Sequence, residues 1–169
     1  LPTVSISSNL TLCSGSNGTV TFTGTPNATV TYTVNGGSNQ TIVLNASGTA
    51  TINRAFSSTT TYSLVSVASS GTPSCSQVQS GSATITVLPL PTVTISTNST
   101  ICSGSSATVT FTGTPNATVT YTVNGGNNQT IVLNALGTAT VTNTYNATTT
   151  FALVSIASAT APVCTQPQS

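Results

Sequence analysis

The chain almost entirely lacks charge. Its 169 residues include no Asp, Glu or His, and the single basic residue is Arg54. Acid–base catalysis needs a side chain that titrates near the working pH, and a nucleophilic Ser or Thr needs a neighbouring base. Carboxylates are also the usual protein ligands of calcium. We therefore expect no enzymatic activity, no metal and no cofactor, and the small net charge favours no binding to nucleic acid.

Long apolar runs and helical periodicity are missing too. No apolar run approaches the ~18 residues of a membrane helix, so we expect no membrane span in this stretch. Met and Trp are absent, whereas Thr and Ser together make up about two residues in five. Low charge combined with alternating β-branched residues is typical of a folded β-protein, since disordered chains usually carry more charge.

One stretch, TVTFTGTPNATVTYTVNGG at residues 19–37, returns unchanged at residues 108–126. A shift of 89 residues aligns the two halves without a gap, and about seven positions in ten are identical. A period of this size is a whole domain. The sequence predicts domains at 1–89 and 90–169. Because the second copy stops before the counterpart of residues 81–89, we expect a window from a longer array whose second domain lacks its last strand.

Strict alternation of apolar residues with Thr is typical of half-buried strands. It predicts strands at 3–7, 19–23, 28–34, 40–45, 49–53, 60–68 and 83–88, with residues 8–18 as a loop. Asn35-Gly36 predicts a hairpin turn, and the broken alternation inside 60–68 predicts either a bulge or a strand covered on both faces. The predicted core is Val20, Phe22, Val30, Tyr32, Val34, Ile42, Leu44, Ile52, Leu64, Ile85 and Val87. Seven short strands per copy indicate an all-β, immunoglobulin-like Greek-key sandwich.

Two cysteines per copy, at the same spacing, indicate an oxidising compartment. Repetition favours the pairs Cys13–Cys75 and Cys102–Cys164, one staple in each domain. The loops that hold the two cysteines of one copy lie at opposite ends of a simple sandwich, however. Head-to-tail packing of domains would instead bring Cys13 near Cys164, or Cys75 near Cys102. Free buried thiols are the remaining alternative.

The junction between the copies reads Leu88-Pro89-Leu90-Pro91. Each proline fixes its own φ and keeps the preceding residue extended. The linker is therefore predicted to be short and stiff, and the domains to form a rod.

Two surface patterns remain. Asn-x-Ser/Thr triplets are candidate glycosylation sites, and they begin at Asn9, Asn17, Asn27, Asn39, Asn45, Asn98, Asn116, Asn128 and Asn146. Outward Thr rows, predicted to run side by side, are Thr19, Thr21, Thr23 and Thr29, Thr31, Thr33. Such rows favour binding to ice, polysaccharide or another solid as an alternative function, although Thr also suits any solvated strand face.

The motifs P-T-V-T-I-S, I-C-S-G-S, T-V-T-F-T-G-T-P-N-A-T-V-T-Y-T-V-N-G-G and Q-T-I-V-L-N-A resemble the tandem immunoglobulin-like or PKD-like repeats of very large Bacteroidota surface proteins. The SprB-type gliding-motility adhesins, which are type IX secreted, are the nearest group. The resemblance covers both copies. It implies an extracellular, cell-surface location and a stalk or filament role. The expected partners are further copies of the repeat, with covalent glycans. A second alternative is a pilus-like subunit that polymerises by donating a strand.

Overall fold

The computed structural model describes residues 1–97 and 100–168, with Asn9 described by its backbone alone. The chain divides into two compact units, Leu1–Leu88 and Pro89–Ser169, called repeat 1 and repeat 2 below. This division lies one residue from the predicted boundary.

Repeat 1 contains nine strands. They are β1 (Val4–Ser7), β2 (Asn9–Cys13), β3 (Ser16–Gly24), β4 (Thr29–Val34), β5 (Gln40–Val43), β6 (Thr49–Phe56), β7 (Thr60–Ala68), β8 (Ser76–Val78) and β9 (Ser82–Leu88). One sheet has the order β1-β3-β6. The other has the order β2-β9-β7-β4-β5, with β8 also paired to β7. All pairs are antiparallel except β2 with β9, which is parallel.

Repeat 2 repeats this plan with fewer paired strands in its described residues. They are β10 (Val93–Thr97), β11 (Ser105–Gly113), β12 (Thr118–Val123), β13 (Gln129–Val132), β14 (Thr138–Tyr145), β15 (Phe151–Ala157) and β16 (Thr165–Pro167). The two sheets have the orders β10-β11-β14 and β13-β12-β15-β16.

Apolar side chains at alternate positions fill the space between the two sheets of each repeat. In repeat 1, Phe22 on β3 faces Tyr32 on β4, with ring centroids 5.1 Å apart. Every residue of the predicted core belongs to this cluster, although Val34, Ile42, Ile52 and Val87 are only partly buried. Phe111 and Tyr121 make the equivalent contact in repeat 2 at 4.9 Å. Each repeat is therefore a β-sandwich with its own core, as predicted.

The hairpin turn predicted at Asn35-Gly36 is confirmed, because both residues have positive φ, 50° and 70°. The bulge is confirmed as well. The register of β4 against β7 passes from Thr31–Ser66 to Tyr32–Leu64, so Val65 is the extra residue. This shift places Val67 inside the core, where it is fully buried.

The loop prediction for residues 8–18 is wrong. This segment contains β2, and β3 already begins at Ser16. Leu10 and Leu12 alternate with Thr, but the polar residues around them conceal the pattern. The short strand β8 was also not predicted, since three residues are too few to show a period of two.

Candidate functional site

Each repeat has two ends, which the chain path defines. The downstream end is where the chain leaves the repeat, at Leu88 in repeat 1. The upstream end is where the chain enters, at Val4 in repeat 1 and Val93 in repeat 2. In repeat 1, Cys13 lies at the downstream end, because it is paired with Leu88. The N–H of Ser14 also donates to the Leu88 carbonyl at 2.9 Å.

Cys75 lies at the upstream end of the same repeat. Its carbonyl accepts a hydrogen bond from the N–H of Ser69, just after the last residue of β7, and its own N–H donates to Ser69 Oγ, both at 2.9 Å. The 9 residues of β7 therefore separate the two cysteines. At ~3.3 Å per residue this is roughly 30 Å, whereas a disulfide requires Cα atoms within about 7 Å. The expected pair Cys13–Cys75 is therefore wrong.

The same geometry rules out the expected pair Cys102–Cys164. Cys102 accepts a hydrogen bond from the N–H of Ser105 at 3.0 Å, at the first residue of β11. The N–H of Cys164 donates to Ser158 Oγ at 2.9 Å, beside the last residue of β15. That end of β15 is paired with Thr118, the first residue of β12, which follows the last residue of β11 after a short turn. Cys102 is thus at the downstream end of its repeat, and Cys164 is at the upstream end.

Equivalent cysteines of the two repeats differ in oxidation state. Cys13 and Cys164 are both disulfide-bonded. Cys75 and Cys102 carry free thiols and are exposed. Each position therefore occurs once in a disulfide and once as a thiol, because Cys164 is the counterpart of Cys75 and Cys102 is the counterpart of Cys13.

The predicted linker Leu88–Pro91 is shorter than the sequence indicated. The carbonyl of Leu88 is bonded to Ser14 in repeat 1. Pro91 is fully buried, and the N–H of Thr92 donates to Thr114 Oγ1 at 3.0 Å in repeat 2. Only Pro89 and Leu90 therefore lie between Leu88, which is hydrogen-bonded within repeat 1, and Pro91, which is buried.

Several candidate glycosylation sites occupy positions where the turn itself requires Asn. Asn27 and Asn116 have φ of 57° and 59°, a conformation that Asn tolerates better than most residues. Asn45 Oδ1 accepts hydrogen bonds from the N–H groups of Ser47 and Thr49, both at 2.9 Å. Its counterpart Asn134 makes the same bonds without belonging to an Asn-x-Ser/Thr triplet. The turn explains Asn at these positions without glycosylation.

The remaining candidates are less constrained. The exposed residues among them are Asn17, Asn39, Asn128 and Asn146. Asn98 and the side chain of Asn9 lie outside the described residues.

The outward Thr rows do not run side by side as predicted. Strand β3, with Thr19, Thr21 and Thr23, belongs to one sheet, and strand β4, with its Thr row, belongs to the other. The neighbour of Thr21 is Thr51 on β6, and the neighbour of Thr31 is Thr41 on β5. The Thr rows therefore lie on opposite faces of the sandwich. The face that carries Thr21 is only three strands wide.

Repeat 2 contains a groove of about 400 Å³ beside the start of β15. The apolar part of its lining consists of Ile95, Ile101, Ala107, Val109, Tyr145 and Phe151. The hydroxyl of Tyr145 is buried and has no hydrogen-bond partner among the described residues. No sequence pattern predicted this groove.

Residues 1–97 and 100–168, which the structure describes, hold no group of three or more His, Cys, Asp or Glu residues that could bind a metal ion. They also contain no helix that is long and apolar enough to cross a membrane.

No family model matches the chain, and no curated protein matches it. Solved structures do. A marsupial T cell receptor matches with a TM-score of 0.54 at 11% identity, over 99% of this chain and 70% of that chain. The human OSCAR ligand-binding domain matches with a TM-score of 0.39 at 15% identity, over 98% and 93%. The likeness to the T cell receptor confirms the immunoglobulin-like β-sandwich fold.

Proposed function

We propose that the chain is a structural module, two consecutive repeats from the stalk or filament of a secreted, repetitive cell-surface adhesin. Its function is reach and mechanical continuity. One observation carries this proposal: the two cysteines of each repeat lie at opposite ends of its sandwich. A disulfide made by either cysteine must therefore leave the repeat, so these disulfides join repeats and do not staple them internally.

The positions suggest a simple pairing rule. The downstream-end cysteine of one repeat bonds to the upstream-end cysteine of the repeat that follows it. Two thiols then lose two electrons and two protons to a low-molecular-weight disulfide such as oxidised glutathione, which is reduced to two thiols. Each junction would contain a covalent link in addition to the short Pro89-Leu90 connection, and a pulling force would pass through both.

The other surface properties agree with an extracellular stalk. Disulfides persist in secreted and cell-surface proteins and are rare in the cytosol. The near-absence of charge leaves the surface poorly protected against association. Glycans at exposed triplets such as Asn39 and Asn128 would supply solubility. The resemblance to SprB-type adhesin repeats supports the same assignment.

Small-angle X-ray scattering on the full chain tests the stalk. We expect one conformation to fit the scattering curve of the oxidised chain. The curve of the C13S/C164S variant should require an ensemble in which the repeats move independently. The C75S variant is the matched control, since it removes a thiol but no disulfide. The stalk proposal fails if the oxidised chain requires the same broad ensemble as C13S/C164S.

A further inference from the structure

Asn39 and Asn128 occupy equivalent places in the two repeats, directly before β5 and β13. Each begins an Asn-Gln-Thr triplet, and all three residues of both triplets are exposed. Neither Asn has a positive φ, and neither side chain is hydrogen-bonded to another residue in the described part of the chain. Both carboxamides are therefore open to modification.

The other recurring candidates are less accessible. Asn27 and Asn116 each precede an alanine that is fully buried, so their triplets are not exposed throughout. The side-chain nitrogen of Asn45, to which a glycan would be attached, donates a hydrogen bond to Thr49 Oγ1 at 2.9 Å. N-linked glycans occur on surface segments, which favours the triplets of Asn39 and Asn128.

The strands that follow these two residues are free edges. Strand β5 is the last strand of its sheet and pairs only with β4 among the described residues, and β13 pairs only with β12. Both strands read Gln-Thr-Ile-Val, and their valines, Val43 and Val132, are 61% and 62% exposed. Proteins usually protect such edges with a charged residue, a proline or a bulge. Apart from their short length, β5 and β13 have none of these features.

The exposed edge is present in both repeats, and so is the triplet beside it. Two other exposed triplets, those of Asn17 and Asn146, lack this property, because the counterparts of these residues are Ser106 and Ser57. A glycan at either of them would serve one repeat only. The Asn-Gln-Thr triplets are thus the ones that match the recurring edge.

We propose that Asn39 and Asn128 carry N-linked glycans, and that these glycans cover the free edges of β5 and β13. The side-chain nitrogen of Asn forms a bond to C1 of a glycosyl diphosphate, which a separate transferase binds. The bond from C1 to the phosphate oxygen breaks, and the proton lost by the nitrogen leaves with the diphosphate. The inference rests on the proposed function, which places the chain outside the cell, and it names the sites of the solubilising sugar.

Glycopeptide mass spectrometry of the protein from its native source tests the sites. Chymotryptic cleavage after Tyr and Leu releases peptides 33–44 and 122–133, each with one triplet, and Ser38 or Asn127 distinguishes them. We expect most copies of both peptides to carry a sugar on the triplet Asn. The peptides that contain Asn27 and Asn116 are the control and should be unmodified. An unmodified Asn39 and Asn128, sugars on Ser or Thr alone, or equal modification of the control peptides would overturn the proposal.

The full chain, produced in a host that does not glycosylate it, tests the covering role. We expect this chain to associate as its concentration rises, measured by analytical ultracentrifugation. Val43→Lys with Val132→Lys should weaken association at least about tenfold, because like charges oppose each other across paired edges. Thr21→Lys with Thr110→Lys is the matched control. It adds the same charge to the central strands β3 and β11 of the other sheets and should leave association unchanged.

All of these proteins carry Cys75→Ser and Cys102→Ser, so that exposed thiols do not link the chains, and circular dichroism reports whether each is folded. A chain that stays monomeric without glycans, or an equal effect of the two lysine pairs, would overturn the covering role. Glycopeptide mapping and scattering are independent measurements. The glycan sites can therefore fail while the disulfide-linked stalk stands.

Discussion

Asn45 Oδ1 accepts a hydrogen bond from the backbone N–H of Thr49 at 2.9 Å, across the turn that joins β5 to β6. The side-chain amide of Asn45 also donates to Thr49 Oγ1 at 2.9 Å. The oxygen and the nitrogen of this carboxamide therefore both bind Thr49, the first residue of β6. We expect Asn45→Ala to lower the free energy of unfolding of repeat 1 by about 1–2 kcal/mol, measured by chemical denaturation. Asn39→Ala, at an exposed triplet, is the control. An equal effect of the two substitutions would show that the turn does not depend on Asn45.

Gly24 marks a close approach between the backbones of two segments. A Cβ on this residue would overlap the carbonyl oxygen of Thr3, which cannot move independently of β1. We expect Gly24→Ala to destabilise repeat 1 by about 2–4 kcal/mol, because the backbone itself must shift. Gly71→Ala is the matched control, since nothing lies within 4 Å of its Cβ. Thermal unfolding that is unchanged in Gly24→Ala would contradict the packing of β1 described above.

Tyr32 should make the stability of repeat 1 depend on alkaline pH. Burial raises the pKa of its hydroxyl above the ordinary value, nearby Tyr62 raises it further, and Arg54 lowers it. The folded state thus holds this proton more tightly than the unfolded state. The contribution of this difference to the free energy of unfolding is fully present below pH about 10, and it is lost as the pH rises through the folded-state pKa.

Thermal unfolding measured from pH 8 to 12 checks this dependence. Tyr32→Phe is the control, and its midpoint should fall less steeply above pH 10. If the wild-type protein and the Phe variant lose stability in parallel, Tyr32 is not the responsible group.

The sequence predicted the local structure of this chain well and its connections between distant segments poorly. Alternation identified the strand around Phe22, because each apolar residue in such a pattern marks a side chain that is buried. Repetition could not settle the disulfides, since a pairing within repeats and a pairing between repeats both recur every 89 residues. Residues 24–27 lie between the two predicted strands whose Thr rows were expected to run side by side. In the structure they carry the chain from one sheet to the other, which separates Thr21 from Thr31.

The groove shows the same limit. Ala107, Tyr145 and Phe151 are ordinary strand residues in sequence, and only the position of β9 in repeat 1 shows what their counterparts pack against. A residue pattern reports which face of a strand is buried, but it does not report which segment covers that face.

Disulfide mapping of the oxidised full chain tests the central claim most directly. Free thiols would be alkylated before chymotryptic digestion, because Arg54 alone offers a tryptic site. Mass spectrometry would then identify the modified and the linked peptides. The account predicts alkylation of Cys75 and Cys102, and disulfides that join only downstream-end to upstream-end cysteines of different repeats. A peptide linking Cys13 to Cys75, or Cys102 to Cys164, would contradict it.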